Sequence, residues 1–370
     1  MSHSAGKPQE PEEHYPPGWA PEPLPAPSTP RGRNAKIVSL VALAVVVAVV
    51  VGAVLLFTGD DGSAPTPEPQ SATTSPAAAT MSSSSTPTVI ASASDTGPVG
   101  IITTDATCES WRRIQSTLAA AQSNGWEQRD PSIPGAAWDP AQRTQFEAVG
   151  TAMRNTADDA VGLARQTPHR VLRELYEAFV AYGRAYADSL ADYQPADDFL
   201  ARTNIAAFQS ISEICAAADS GSAVARAPVV PAAAPSTAPA PPGNPASPER
   251  FIPQAGPTCS QWVPAESALQ VDTQAWLALD PNILADSWTP EQRAVQERTG
   301  ALLAESAATL EAAGRGSGTA VFEDFATLAA QYFRAYAAAV PSYAAGDHYL
   351  ALAGLRLDNL VGAACQAAVG

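Results

Sequence analysis

The chain has 370 residues, a formal net charge of −16 at pH 7 and a sequence pI of about 4.6. Such an acidic balance is the opposite of what binding to a phosphate backbone requires, so we expect no nucleic acid among its partners. The length would hold two or three domains, but tracts of Pro, Ser, Thr and Ala make the packed part smaller than this.

The N-terminal region has the pattern of a membrane-anchored protein. Residues 1–36 are rich in Pro, which predicts a disordered tail. Residues 37–57 carry no charge and are mostly apolar, enough for a helix of roughly 30 Å that crosses a bilayer once. Arg31, Arg33 and Lys36 precede this segment, and the positive-inside rule then places the N-terminus in the cytoplasm.

This pattern predicts a single-pass protein of the plasma membrane with its C-terminal domains outside the cytoplasm. A cleaved signal peptide is the alternative, but its apolar core would be shorter and nearer the N-terminus. Two further segments, 58–105 and 220–256, consist largely of Ser, Thr, Pro and Ala. They have too few large apolar side chains to fold, so we expect a disordered stalk and a disordered linker.

The two regions that remain, 106–219 and 257–370, resemble each other in sequence. The offset between them is 151 residues at the first cysteine and 150 residues from the second tryptophan onward. Rare residues in register at so many positions predict an internal duplication, with one domain per copy. The matching positions include Cys108 and Cys259, Trp111 and Trp262, Trp126 and Trp276, Trp138 and Trp288, Tyr186 and Tyr336, and Cys215 and Cys365.

Each copy has the periodicity of a helical bundle. Leu175, Phe179, Tyr182 and Tyr186 recur at spacings of three and four residues, which predicts an apolar helix face. No segment shows the sustained alternation of a strand. The predicted fold class is therefore all-α, with two tandem disulfide-closed helical bundles after one transmembrane helix. The helices expected in the first copy are about 107–124, 140–165, 169–193 and 197–218.

The second helix of each copy has a clear start signal. Asp139 is followed by Pro140 and then by Gln142, which predicts a capping box with Pro at the first helical position. The second copy repeats the signal with Thr289 in the capping position and Gln292 three residues later. These two helices should therefore begin at corresponding positions.

The four cysteines lie at the first and last helix of each copy. Of the three possible connectivities we prefer Cys108 with Cys215 and Cys259 with Cys365, because a duplication should keep its bond inside each copy. Each bond would close a long loop and stabilise the fold by about 4 to 5 kcal/mol through the entropy of the unfolded chain. Metal binding is a weaker alternative, because the spacing is unlike that of zinc sites.

A Trp-bearing stretch between the first two helices is the candidate binding surface. Two aromatic rings beside an Asp-Pro turn could line a groove for a glycan, a peptide or a lipid head group. The alternative is that both rings pin an irregular loop to the bundle while the Asp caps the turn. The candidate residues are Trp126, Asp130 and Trp138 in the first copy and Trp276, Asp280 and Trp288 in the second.

No catalytic, dinucleotide or phosphate-binding motif occurs in the sequence. We therefore expect no catalytic residue, no cofactor and no metal ligand. His169 and His348 have no counterpart in the other copy and are interpreted as exposed polar residues. Arg184 and Arg334, each between two tyrosines, could bind an anion or pair with a carboxylate on the facing helix.

The layout resembles the poorly characterised proline-rich, single-pass envelope proteins of actinobacteria. The likeness consists of the Pro-rich head, one apolar segment, a Ser/Thr/Pro stalk and a Cys-paired, Ala-rich domain. It implies no known activity and assigns no site residue.

The leading functional hypothesis is a non-catalytic, membrane-anchored module outside the cytoplasm. It would bind an envelope protein or a glycan, and tandem copies would add avidity. A second hypothesis is a sensor or regulator that signals from the outer domains to the cytoplasmic tail. A third is an envelope hydrolase, which would require a nucleophile that no motif reveals.

Overall fold

The computed structural model describes residues 89–236 and 238–369. Within this part the chain forms ten α-helices joined by loops and short 3₁₀ turns. The described residues contain no strand, and the predicted all-α class is confirmed. The helices are α1 Thr107–Gln122, α2 Pro140–Gln166, α3 Arg170–Ser189, α4 Asp198–Asp219, α5 Ser222–Arg226, α6 Pro257–Asp272, α7 Gln274–Leu277, α8 Pro290–Gly316, α9 Ala320–Ala339 and α10 His348–Ala367.

The long helices α2 and α8 begin as their sequence predicts. The Asp139 carboxylate accepts the backbone N–H of Gln142 at 2.8 Å, and the Gln142 side chain accepts the N–H of Asp139 at 3.0 Å. In α8, the Thr289 hydroxyl and the Gln292 side chain form the same reciprocal pair. These bonds satisfy donors that a helix start would otherwise leave free.

Two central helices carry the core. Leu175, Phe179, Tyr182 and Tyr186 of α3 are all fully buried, so the predicted apolar face exists and is covered by α2 and α4. The corresponding helix of the second half, α9, is buried along most of its length between α8 and α10. We use "first half" for residues 106–219 and "second half" for residues 257–369.

Each half is closed by a disulfide bond. Cys108 of α1 is bonded to Cys215 of α4, with Cα atoms 5.5 Å apart. Cys259 of α6 is bonded to Cys365 of α10, with Cα atoms 5.3 Å apart. The sequence separations are 107 and 106 residues, so each bond ties the start of a half to its end. These are the preferred pairs of the sequence analysis.

The two halves pack against each other through α4 and α10, which form the most extensive helix contact in the described residues. The structure therefore differs from the expected pair of separate bundles. The reason lies in α10, whose buried residues extend around the helix and include Ala351, Leu355 and Leu357. A helix that is apolar on more than one side needs cover on more than one side, and α4 provides it.

A buried charge cluster also joins the halves. Arg170 of α3 and Asp324 of α9 form a two-point ion pair, with N–O distances of 2.8 and 3.2 Å. Beside it, Arg173 pairs with Glu174 at 3.2 Å and with Glu177 at 2.9 Å. Burial raises the pKa of Glu174, and the nearby Asp324 charge raises it further. Removal from water makes such pairs sensitive to the loss of either partner.

The segment between the halves, expected to be a disordered linker at 220–256, is ordered. It contains α5, and its Phe251 ring lies edge-on against Tyr182 of the first half and Phe325 of the second. Arg226 of α5 pairs with Asp347 at 2.7 Å. The few large side chains in this Ala- and Pro-rich segment therefore anchor it.

The described end of the expected stalk is ordered too. Val99 pairs with Ala233 in an isolated antiparallel bridge, with N–O distances of 2.9 and 2.8 Å. The Asp95 carboxylate accepts the backbone N–H of Arg170, and the Arg173 guanidinium donates to the Ser92 hydroxyl. The prediction of disorder is thus wrong for residues 89–105.

The predicted tail at 1–36, the predicted transmembrane helix at 37–57 and most of the stalk lie outside the described residues. Among residues 89–236 and 238–369, no helix is both long and apolar enough to cross a bilayer. The longest helices, α2 and α8, have 27 residues each but carry charges such as Arg154 and Asp158. For the described residues, this finding contradicts the prediction of a single-pass plasma-membrane protein with domains outside the cytoplasm.

Candidate functional site

The Trp-bearing loops predicted as a binding surface are closed against the helices. The rings of Trp126, Trp138, Trp276 and Trp288 are all buried. The Trp138 indole donates to the Ile133 carbonyl at 3.0 Å, and the Trp288 indole makes the same bond in the second half. Rings held in this way pin the loop, so an open groove between two tryptophans is not formed.

The Asp-Pro turns are likewise built by local bonds. Asp130 accepts the backbone N–H and the hydroxyl of Ser132, and these bonds lower the pKa of Asp130. Asp280 accepts the backbone N–H of Asn282 in the same manner. The Tyr193 hydroxyl donates to the carbonyl of Pro131 at 3.0 Å, which ties the turn to the bundle. Both aspartates therefore serve as turn caps, the alternative role given above.

The two halves differ around the buried Trp126 and Trp276 rings. In the first half, the Arg129 guanidinium stacks 3.9 Å from the centre of the Trp126 ring and pairs with Asp198. Asp198 also pairs with Arg202 at 2.6 Å. Three charged side chains thus form a connected group at the start of α4.

In the second half, the corresponding positions hold Leu279, His348 and Leu352. His348 stacks on Trp276 with ring centres 4.6 Å apart, and burial lowers its pKa to about 4. His348 is therefore neutral at pH 7 and half-buried, not the exposed polar residue that was expected. His169 keeps a partly exposed ring that bonds with the Thr104 carbonyl.

The arginines flanked by tyrosines have carboxylate partners. Arg184 pairs with Asp158 of α2, and Arg334 pairs with Glu311 of α8. Of the two predicted roles, anion binding and pairing with a carboxylate on the facing helix, the structure shows the second. Among residues 89–236 and 238–369, no three His, Cys, Asp or Glu side chains group in a way that could hold a metal ion.

A polar groove of about 510 Å³ runs between the two halves. The end of α1 and the face of α4 form one wall, and α6 and α10 form the other. We call it the inter-half groove. Its polar lining includes Arg129, Arg202 and Gln209 of the first half and Glu266, Gln270 and Gln366 of the second.

Carboxyl groups beneath the groove are held away from water. Burial raises the pKa of Glu266 to about 7. Asp358, fully buried on α10, has its pKa raised by burial and by the nearby Glu266. Gly362 allows this approach, since a Cβ there would lie 2.9 Å from Oε2 of Glu266. Near pH 7 the Glu266 side chain is therefore only partly ionised, and this wall of the groove carries less negative charge than two exposed carboxylates would give it.

The family model of the mycobacterial ESX-1 associated proteins matches residues 90–369. The chain belongs to this family. The match includes both halves, the segment between them and the N-terminal segment from residue 90. The expected resemblance to poorly characterised actinobacterial proteins is confirmed at the level of this mycobacterial family.

An uncharacterised protein of Mycolicibacterium smegmatis (strain MKD8) is similar over most of the chain. The two are 42% identical over 355 residues, which cover 96% of this chain and 91% of the relative. No solved structure matches. The inter-half groove had no signal in the sequence analysis, because its two walls are more than fifty residues apart in the chain.

Proposed function

We propose that this protein is a non-catalytic binding protein of the ESX-1 secretion system, and that it holds a segment of a partner protein in the inter-half groove. Membership of a family described as ESX-1 associated supports the first part of the proposal. The groove between the halves is the observation that carries the second part. Its volume lies in the range of ordinary ligand sites.

The chemistry of the groove favours a polypeptide. Side-chain amides of Gln122, Gln209, Gln270, Asn359 and Gln366 line it, and each offers both a donor and an acceptor. A polypeptide backbone presents the complementary groups along its whole length. The guanidinium groups of Arg129 and Arg202 are already paired with Asp198, so a groove lined largely by amides suits this kind of partner better than a phosphate or a lipid chain.

We further propose that the two halves are repeats of one ancestral unit that now share one binding surface. Support comes from the sequence register, the equal lengths of α2 and α8, and the equal lengths of α3 and α9. Each half alone would provide one wall. The groove therefore requires both halves in place.

Site-specific photocrosslinking in a mycobacterium with an active ESX-1 system tests the proposal. A benzoylphenylalanine is placed at Ser267, an exposed position on the groove wall, or at Glu305, an exposed position on α8. We expect adducts with an ESX-1 component or secreted protein from position 267 only. Adducts that are the same from both positions, or no ESX-1 protein among them, would overturn the proposal.

A steric variant provides the matching functional test. Ser267→Trp fills the groove, whereas Ala268→Trp adds the same bulk at a neighbouring exposed position of α6. We expect loss of ESX-1 secretion with S267W and normal secretion with A268W, at equal protein levels. Equal secretion by both variants would be against a role for the groove.

A further inference from the structure

A second, apolar groove of about 160 Å³ lies on the second half beside the inter-half groove. Leu277 of α7 and Leu352 and Leu355 of α10 form its apolar walls, and Arg356 lies at its edge. We call it the apolar groove. Gln270 and Asn359 line both grooves and form the border between them.

The same place on the first half is charged. Leu277 corresponds to Glu127, and Leu352 corresponds to Arg202, each at the offset of 150 residues. In the first half, Arg202 belongs to the ion-paired group with Asp198. At these matching positions the second half therefore has apolar side chains where the first half has charged ones, although the surrounding helices have the same order.

The apolar groove is open to solvent in the described structure. Leu277 in the groove wall is 42% exposed, and Tyr349, about one turn before Leu352 on α10, is 37% exposed beside the groove. Tyr349, Leu352 and Arg356 follow one another at spacings of three and four residues, so they share one face of α10. This face presents a continuous stripe in which two apolar side chains precede a cation.

Arg356 has no hydrogen bond and no ion pair with any of the described residues, and its buried Nε has no acceptor. The charge of Arg356 acts on the carboxyl group of Glu213 in α4. Burial raises the pKa of Glu213 to about 7, and the Arg356 charge offsets only part of that increase. Glu213 is thus incompletely ionised at neutral pH and leaves the guanidinium without a full counter-charge. An incoming carboxylate would supply one through a charge-assisted hydrogen bond.

We propose that the apolar groove binds an amphipathic helix of a partner protein, whose apolar side chains cover Leu277 and Leu352 and whose Asp or Glu pairs with Arg356. A helix fits because the stripe on α10 has helical spacing and side chains at matching intervals can pack between its residues. Charge complementarity with Arg356 selects an acidic residue within the apolar face of the partner. This surface adjoins the groove of the proposed function but has its own apolar walls.

Photocrosslinking of the full chain in mycobacterial cells tests this proposal as well. Benzoylphenylalanine replaces Tyr349, and in a control strain it replaces Phe199, the corresponding residue of the first half. We expect position 349 to form an adduct whose mapped peptide is an amphipathic helix with an Asp or Glu between its apolar residues. Position 199 should not form this adduct.

Two variants establish which side chains matter. L277E/L352R introduces the residues that the first half has at these positions, of which Leu277 is exposed and Leu352 is half-buried. We expect at least a tenfold lower adduct yield with this variant and about a tenfold lower yield with R356Q. Circular dichroism and thermal melting of the purified variants check that they fold.

Three outcomes in which position 349 does form an adduct would overturn the inference. One is an adduct that maps to a second copy of this chain, and another is a partner peptide that lacks the acidic amphipathic pattern. The third is an adduct yield that L277E/L352R leaves unchanged. If position 349 forms no adduct while position 267 still does, only the proposal for the apolar groove fails. If position 267 forms no adduct while position 349 does, only the proposal for the inter-half groove fails.

Discussion

Arg170 and Asp324, 154 residues apart in the chain, form a buried two-point ion pair that joins the first half to the second. The guanidinium also donates to the carbonyl oxygens of Asp95 and Gly97, so one side chain connects both halves and the N-terminal segment. The halves are thus linked by a polar contact as well as by apolar packing. Several measurable consequences follow from this and from the other buried groups.

Loss of the Arg170 side chain should be strongly destabilising. Arg170→Ala leaves Asp324 buried without a partner, and we expect a decrease of about 3 to 5 kcal/mol in the free energy of unfolding. Urea unfolding followed by circular dichroism measures it. Arg154→Ala, which breaks an exposed pair with Asp188, is the control and should cost less than about 1 kcal/mol. Equal losses of unfolding free energy in the two variants would contradict a stabilising role for the buried Arg170–Asp324 pair.

The two disulfide bonds should stabilise the fold independently. Replacing Cys108 and Cys215 by Ser, or Cys259 and Cys365 by Ser, should each lower the free energy of unfolding by about 4 kcal/mol, because each bond closes a loop of over a hundred residues. Peptide mapping without reductant should find these two links. A bond between the halves, or a free thiol, would refute the pairing.

The buried tryptophans should behave as core residues. Trp276→Ala removes a ring packed on Tyr336 and His348, and we expect a loss of about 3 to 5 kcal/mol in unfolding free energy. Leu277→Ala, at the next position, where the side chain is 42% exposed, should cost less than about 1 kcal/mol. Thermal melting of both variants distinguishes this from a surface role, for which the two losses would be alike.

Glu266 should make the stability of the protein depend on pH. Burial raises its pKa from 4.5 to about 7, so between these values the folded state holds a proton that the unfolded state has released. The stabilisation from this group is complete below pH 4.5 and is lost as the pH rises through 7. The difference in unfolding free energy between the wild type and Glu266→Gln should therefore fall across this window.

The titration of His348 changes the stability in the opposite direction with pH. Because His348 is present in both the wild type and Glu266→Gln, its contribution cancels in the difference between their unfolding free energies. Its pKa is lowered to about 4, so its contribution rises with pH between 4 and 6.5. Urea unfolding at pH 5, 6, 7 and 8 provides the data. A difference that stays constant over this range would show that Glu266 is ionised in the folded state.

Local features of the fold could be predicted from the sequence. The capping boxes at Asp139 and Thr289 gave the starts of α2 and α8, because a helix start depends on a few adjacent residues. The cysteine pairing followed from the register between the halves. The loop tryptophans had two interpretations, and only tertiary contacts could choose between them.

The packing between the halves could not be predicted in this way. A buried helix face shows the same periodicity whatever covers it, so the pattern of α10 did not reveal that α4 is its neighbour. Composition also misled at 220–256, where Val230 and Phe251 are buried although the segment is rich in Ala and Pro. Both grooves depend on these long-range contacts, which explains why neither was expected.

The charge cluster at the junction is one-sided. Glu174 and Asp324 occupy corresponding positions, but Arg170 and Arg173 have Ala320 and Glu323 as their counterparts. The guanidinium groups of this cluster therefore come from the first half alone, and two second halves would bury carboxylates with no cation between them. Self-association of second halves is thereby disfavoured, because the carboxylate of Asp324 is balanced only when a first half supplies Arg170.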